Sequence, residues 1–303
     1  MPFTFAEDPI ALPKGAHAGT HRQALRRDDG RMVLALTQGN RRAYAYPLMT
    51  PAGFAVTSEA PADHPHHNSL WIGADHVHAQ VPAADDRIEE YTYNFYVNDV
   101  FQGRAPGRIV AAAVHDEATG RASHRLEQTL EWRGPVEWAA PDGRLILRET
   151  RTYDIAEDGD AYIVDVTSRL EAGTWDVAIG PTRHAYFNVR VSESIAATSG
   201  GTVVDDRGVT GGAITGNGAR WVDYSGPVGG GHVAGVTVCP HPADHADITW
   251  FASDWGVVTV GPFRLERRLI VRDRPTILRY RTIVHDGDAG AARISERLAG
   301  WLG

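Results

Sequence analysis

The chain has 303 residues, 43% hydrophobic and 22% charged, with a net charge of −8. That balance is an ordinary one for a globular protein with ample chain for a core, and the acidic charge argues against nucleic acid and anionic membranes, both of which need a basic face. The single cysteine, Cys239, excludes an intrachain disulfide and any multi-cysteine metal site, and the single lysine, Lys14, argues against Schiff-base chemistry.

Residues 1–20 read as an N-terminal arm that lacks the basic start and apolar run of a signal peptide. No stretch approaches the roughly 20 apolar residues that span a bilayer, so a cytoplasmic location is expected. Residues 21–303 read as one domain with no repeat and no linker. Strands are expected over 32–37, 42–48, 123–132, 144–153, 161–170, 175–180, 235–239, 247–251, 256–260 and 276–285. Residues 144–153 and 161–170 form a hairpin about Glu157-Asp158-Gly159-Asp160, with Tyr162, Val164 and Val166 on one face. The glycine-rich run 200–231 reads as long loops. A C-terminal helix is expected over 289–302, capped by Asp288, with Ile294, Leu298 and Trp301 on one stripe. Many short strands and little helix mean a sandwich or barrel.

Histidine is abundant, at 14 residues. Asp63-His64-Pro65-His66-His67-Asn68 is the densest polar cluster, and buried imidazoles need partners at both ring nitrogens. Pro65 would make the segment extended, with His64 and His66 pointing one way and His67 another. The segment suits sugar binding and proton transfer beside an aromatic wall such as Trp71. It also suits a divalent transition metal held by His64, His66 and His67, or simply a solvated loop. His76 and His78 read as one exposed strand face. In Arg183-His184-Ala185-Tyr186-Phe187-Asn188-Val189-Arg190, a strand would put Tyr186, Asn188 and Arg190 on one polar face. Such a face suits a polyol ligand or is merely outward. Glu266, among Arg264, Arg267 and Arg268, is either a carboxylate base held by arginines or a surface ion pair. His241, Asp244 and His245 read as a loop rather than a metal site.

The histidine segment, with Tyr46-Pro47 and Thr50-Pro51-Ala52-Gly53 upstream, resembles the bacterial DUF6807 family, often labelled "methane oxygenase". Further matching segments are Gly107-Arg108-Ile109-Val110, Phe187-Asn188-Val189-Arg190-Val191, Trp221-Val222-Asp223-Tyr224-Ser225-Gly226 and the closing Tyr280-Arg281 to His285-Asp286-Gly287, so the resemblance covers residues 44–287. It departs at Asn68-Ser69, where a basic residue and a glycine are expected. The methane label is not carried over, because particulate methane oxygenases are membrane proteins and this chain has no membrane segment. More distantly, Thr182-Arg183-His184-Ala185-Tyr186-Phe187-Asn188 is similar to the Thr-Asn-His-x-Tyr-Phe-Asn stretch of aldose 1-epimerases. That resemblance implies an all-β, galactose-mutarotase-like β-supersandwich with few short helices and a C-terminal helix. It also implies His184 as general acid, His66 or His67 as the earlier sugar-binding histidine, and Glu266 as base.

The leading expectation is a carbohydrate-active enzyme working on a sugar or keto-sugar derivative by acid–base chemistry, of epimerase or lyase type, with no cofactor. His184, His67 and Glu266 would be catalytic. His64, His66, Asn68, Trp71, Arg183, Tyr186, Asn188 and Arg190 would bind the small-molecule carbohydrate. A metal-dependent lyase, hydrolase or oxygenase and a non-catalytic sugar-binding protein are the alternatives. The sequence carries no signal for an oligomeric state.

Overall fold

The structure, a computed structural model, describes residues 3–9 and 21–303. Among these residues the strands form two large antiparallel sheets and one smaller sheet. The first large sheet runs, edge to edge, through Phe3–Glu7, His21–Arg27, Met32–Gln38, Ala43–Leu48, Leu70–Ala74, Ala185–Arg190, Val257–Val260 and Trp250–Ala252. The second runs through Thr202–Asp205, Val222–Gly229, His232–Pro240, Thr276–Asp286, Ala161–Ala172, Leu145–Asp158, Ser123–Arg133 and Arg108–Gly120. The smaller sheet runs Arg268–Ile270, Val177–Ile179, Val77–Pro82, Ile88–Asn94 and Ala105–Pro106. The chain is an all-β supersandwich with short 3-10 turns and one C-terminal helix, as expected.

Side-chain alternation explains the packing. In Ala161–Ala172 the residues Tyr162, Val164, Val166, Ser168 and Leu170 are buried while those between are half-buried, as the hairpin reading required. One buried cluster takes in Leu34, Ile72, Phe187 and Val189 from the first sheet and Leu126, Tyr153, Val164 and Tyr280 from the second. Phe187 and Tyr280 stack across the layers, with ring centres 4.3 Å apart.

A charged network crosses the same core. Arg151 and Glu149 are both fully buried and joined by two bonds of 2.7 and 2.8 Å. Trp132 Nε1 donates to Glu149 at 2.9 Å, Ser168 Oγ donates to Glu149 at 2.8 Å, and Arg151 donates to Ala43 O across the layers. The Tyr186 hydroxyl meets Ser168 Oγ at 2.7 Å.

Several expectations are corrected. Residues 3–7 of the expected arm form an edge strand paired with His21–Arg27, while Lys14 lies outside the described residues. The run 200–231 is not all loop. Thr202–Asp205 and Val222–Gly229 pair with each other in the second sheet, their valines hidden among glycines. The C-terminal helix is Ile294–Leu302, later than expected. Asp288 caps a preceding turn, its Oδ1 accepting from Ala291 N at 2.8 Å. Ile294 and Leu298 are buried, and Trp301 packs half-buried beside them over Ile283 and Trp221. No helix among the described residues is long and apolar enough to cross a membrane.

Removing one partner of the Glu149–Arg151 pair leaves a buried charge uncompensated. Glu149→Gln is expected to destabilise the fold by about 3–5 kcal/mol, read as a lowered urea midpoint with an unchanged slope.

Candidate functional site

The site is built on the outer face of the first sheet. Register aligns Tyr44 with Trp71, Trp71 with Asn188, Asn188 with Thr259, and Thr259 with Phe251. Their strand neighbours Ile72, Phe187 and Val260 belong to the inter-sheet core, so alternation turns this row the other way. Asn188 is fully buried within the row. It donates to the Trp71 and Tyr186 carbonyls and accepts from Thr259 Oγ1 at 2.8 Å.

Two loops, 59–68 and 94–98, cover the row, and Arg42 fastens both. Its Nη1 donates to His66 O at 2.6 Å and to Asn68 Oδ1, and its Nη2 donates to Tyr96 O at 2.6 Å and to Asn98 Oδ1. Asn94 Oδ1 shapes the second loop by accepting from Tyr96 N and Val97 N.

The histidine segment is a turn rather than an extended run. His67 N donates to His64 O at 2.9 Å, which puts Pro65 at the second turn position, where its fixed φ is favoured. His64 and His67 therefore come to one side, their rings nearly parallel and 4.7 Å apart, with His66 edge-on at 4.6 Å from His67. Ser69, where the DUF6807 resemblance calls for glycine, stands at φ 57°, the left-handed region that favours glycine. Trp255 lies parallel to His64 at 4.4 Å and Trp71 backs His67 at 5.1 Å. Tyr96 touches His66 on one side and stacks on His184 at 4.9 Å on the other.

Two aspartates back histidines at the site. His184 Nδ1 lies 3.0 Å from Asp75 Oδ2, and Arg183 Nε donates to His184 Nε2 at 3.3 Å. This network assigns the proton to Nδ1. Asp75 also accepts from Thr182 Oγ1 at 2.6 Å and contacts His76 Nδ1 at 2.7 Å and Arg104 at 3.3 Å. Burial works to raise the Asp75 pKa, but the bonds from His184, Thr182 and His76 outweigh it and hold the carboxyl well below its usual range. The second pair is His64 Nδ1 with Asp63 Oδ2 at 2.9 Å, and Arg190 Nη2 holds both Asp63 oxygens at 3.1 Å. The Arg190 guanidinium also lies over Trp255.

The remaining two histidines of the segment are kept neutral. Burial, then the neighbouring His66, His64, Arg190 and Arg42 charges, push His67 down to about 2. Burial and Arg42 push His66 down to about 4. Polar atoms with no partner collect here: His67 Nδ1, Trp71 Nε1, and Nε and Nη1 of Arg190. Bound water or a ligand is the usual complement of such groups.

Among the predicted site residues, His64, His66, His67, Asn68, Trp71, Arg183, His184, Asn188 and Arg190 share this neighbourhood. Tyr186 does not share Asn188's face. It turns into the core, where Ser168 holds its hydroxyl, so the polar face begins at Asn188. Glu266 is exposed, and no hydrogen bond or ion pair reaches it among the described residues; Arg267 pairs with Glu90 instead. His76 binds Asp75 instead of facing solvent with His78, which is half-buried. His245 bonds Tyr280 and the His241 carbonyl, and Asp244 binds Arg279, so that segment is structural. For the divalent-metal alternative, the relevant residues are His64, His66 and His67, whose rings are packed within 4.6–5.7 Å of one another. Among the described residues no group of three or more His, Cys, Asp or Glu is placed to hold a metal ion. Asp75, Tyr96, Trp255 and Arg42 escaped the sequence reading, because each meets the site through partners far away in the chain.

The matching family model spans residues 26–299 and is described as a family of unknown function, DUF6807. The chain belongs to the DUF6807 family. No curated protein matches it. Among solved structures it is similar to a protein assigned as a kojibiose phosphorylase, from the human microbiome, at 7% identity and a TM-score of 0.34. That match covers 93% of this chain but only 34% of the other, so the chain spans about a third of that protein. A protein assigned as a mutarotase (YeaD), from Salmonella typhimurium, is similar at 11% identity and a TM-score of 0.31, covering 88% of this chain and 94% of that one. The Slr1438 protein from Synechocystis sp. PCC 6803 is similar at 9% identity and a TM-score of 0.33, covering 92% and 99%.

The buried neutral histidines fix a pH dependence. His67 and His245, the latter pushed down by burial to about 4, refuse protons that the unfolded chain accepts near its ordinary pKa. The unfolded state then binds more protons, so stability rises with pH in this window and falls on acidification from about pH 6.5. Each such histidine adds about 1.4 kcal/mol per pH unit. His67→Gln is expected to reduce the slope of unfolding free energy by about that much between pH 6 and 4, measured by urea titration at several pH values.

Proposed function

We propose that the chain is a carbohydrate-active enzyme working on a sugar or keto-sugar derivative by imidazole acid–base chemistry, of epimerase or lyase type. The observation that carries this reading is the partly exposed His184–Asp75 pair, stacked beside Tyr96, which also touches His66 of the segment that holds the His64–Asp63 pair. The partly exposed rings of Trp255 and Phe251 suit the apolar faces of a sugar ring. The surrounding imidazole, amide and guanidinium groups suit its hydroxyls. The likeness of residues 182–188 to the aldose 1-epimerase stretch supports the same role for His184.

In this reading His184 exchanges the Arg183 bond at Nε2 for a proton, gives that proton to the ring or glycosidic oxygen, and Asp75 stabilises the imidazolium that precedes the transfer. A second base removes a proton from the anomeric hydroxyl, or from the carbon that undergoes elimination. We assign that role to His64. It is partly exposed and carboxylate-backed, whereas His67 is 2% exposed and Glu266 makes no contact with the histidines. The two groups exchange roles in the reverse direction. His67 and His66, held neutral, serve as hydrogen-bonding surface.

His184→Ala is expected to lower turnover about 10²–10⁴-fold with an unchanged melting temperature, in anomer-exchange NMR and elimination assays across aldoses and keto-glycosides. Asp75→Asn, which would favour the wrong tautomer, is expected to fall in the same range. Full activity in His184→Ala overturns the assignment. Sugar binding without turnover in the wild type would instead identify a binding protein. About one equivalent of a divalent transition metal in untagged protein, lost in His66→Ala, would identify the metal-dependent alternative.

A further inference from the structure

Beside His184 lies positive charge that no carboxylate neutralises. Arg264 follows a segment strung to the His184 strand. Thr182 N donates to Phe263 O at 2.8 Å, and a side chain at Gly261 would come within 2.8 Å of Tyr186 N. Arg264 is half-buried, no hydrogen bond or ion pair reaches it among the described residues, and its buried Nη1 has no partner. It lines a cleft of about 250 Å³ together with Thr249, whose buried Oγ1 also has no partner. Arg183 lies over Phe251, bonds His184 and, among the described residues, pairs with no carboxylate. Asp247, Glu266 and Arg268 line the cleft as well, but neither acid pairs with Arg183 or Arg264. The Thr182–Phe263 bond sets the next residues of the two segments, Arg183 and Arg264, on adjacent backbone, and burial and then the charge of Arg183 both lower the Arg264 pKa.

A half-buried cation with an unpartnered nitrogen and a second cation on the adjacent segment is unfavourable unless an anion joins them. Guanidinium forks fit carboxylate and phosphate oxygens in a bidentate way. We propose that the substrate carries an anionic group, a carboxylate or a phosphate monoester, gripped between Arg183 and Arg264 with the sugar ring toward His184. The ring placement rests on the sugar reading above; the anion grip rests on the arginines alone.

The test titrates the whole protein with galacturonate, galactose 6-phosphate and galactose by calorimetry, and follows anomer exchange of all three. At least one anionic sugar is expected to bind about tenfold or more tightly than galactose, and Arg264→Met is expected to erase that preference. Which anion is preferred separates carboxylate from phosphate. Arg183→Gln, at an exposed position, serves as a second variant if Arg264→Met does not fold. Equal affinity for neutral and anionic sugars, no binding of either anion, or a preference that survives both substitutions overturns the inference. Anion-selective binding with no turnover of any sugar upholds the grip and overturns the enzymatic reading. Turnover of galactose without anion preference does the reverse.

Discussion

Arg42 is the residue on which the site depends. It is a cation 2% exposed with, among the described residues, no carboxylate against it. Such a charge persists indoors only where dipoles replace its water. Here the dipoles are two main-chain carbonyls and two asparagine side-chain oxygens, drawn from loops 59–68 and 94–98. The need to solvate one guanidinium therefore ties together the segments that carry the histidines and Tyr96. The same burial pulls Arg42 itself down to about 10. Its charge in turn reinforces the neutrality of His66 and His67. Loop closure and imidazole electrostatics thus share one cause.

The histidines divide by environment. His67, packed against Trp71 and Trp255, and His66, beside Tyr96, have no carboxylate partner and are held neutral. Those with a carboxylate at Nδ1, His64 and His184, have a partner for the imidazolium and a second nitrogen on the open side. All four imidazoles touch an aromatic ring, and what separates them is whether an aspartate also reaches Nδ1. Beneath them, the Glu149–Arg151 network and the stacked Phe187–Tyr280 pair give the sheet a floor tied to the opposite layer.

Much of this was legible in the sequence. The alternation through residues 161–170 carried the hairpin, the spacing of Ile294 and Leu298 carried the helix, and the density of His64, His66 and His67 marked the site. What failed was local geometry and distance. Pro65 supports either extension or the second position of a turn, and only the His67–His64 bond decides between them. Strand alternation counted from Tyr186 put it with Asn188, whereas its ring is claimed by the core through Ser168. Asp75 gave no signal, because its meaning comes from Thr182 and His184, more than a hundred residues onward. Glycine density in residues 200–231 masked two valine-bearing strands whose pairing comes from neighbours rather than composition.

The imidazole–carboxylate pairs His184–Asp75 and His64–Asp63 differ in their access to water. Asp75 is 2% exposed and His184 23%, whereas Asp63 is 45% exposed and His64 36%. Mobile ions crowd an exposed charge and are kept away from a buried one. Ionic strength therefore acts unevenly across the site. Added salt loosens the hold of Asp63 on His64 and Arg190 while leaving that of Asp75 on His184 nearly intact, so one half of the pair responds to the surrounding medium and the other is insulated from it.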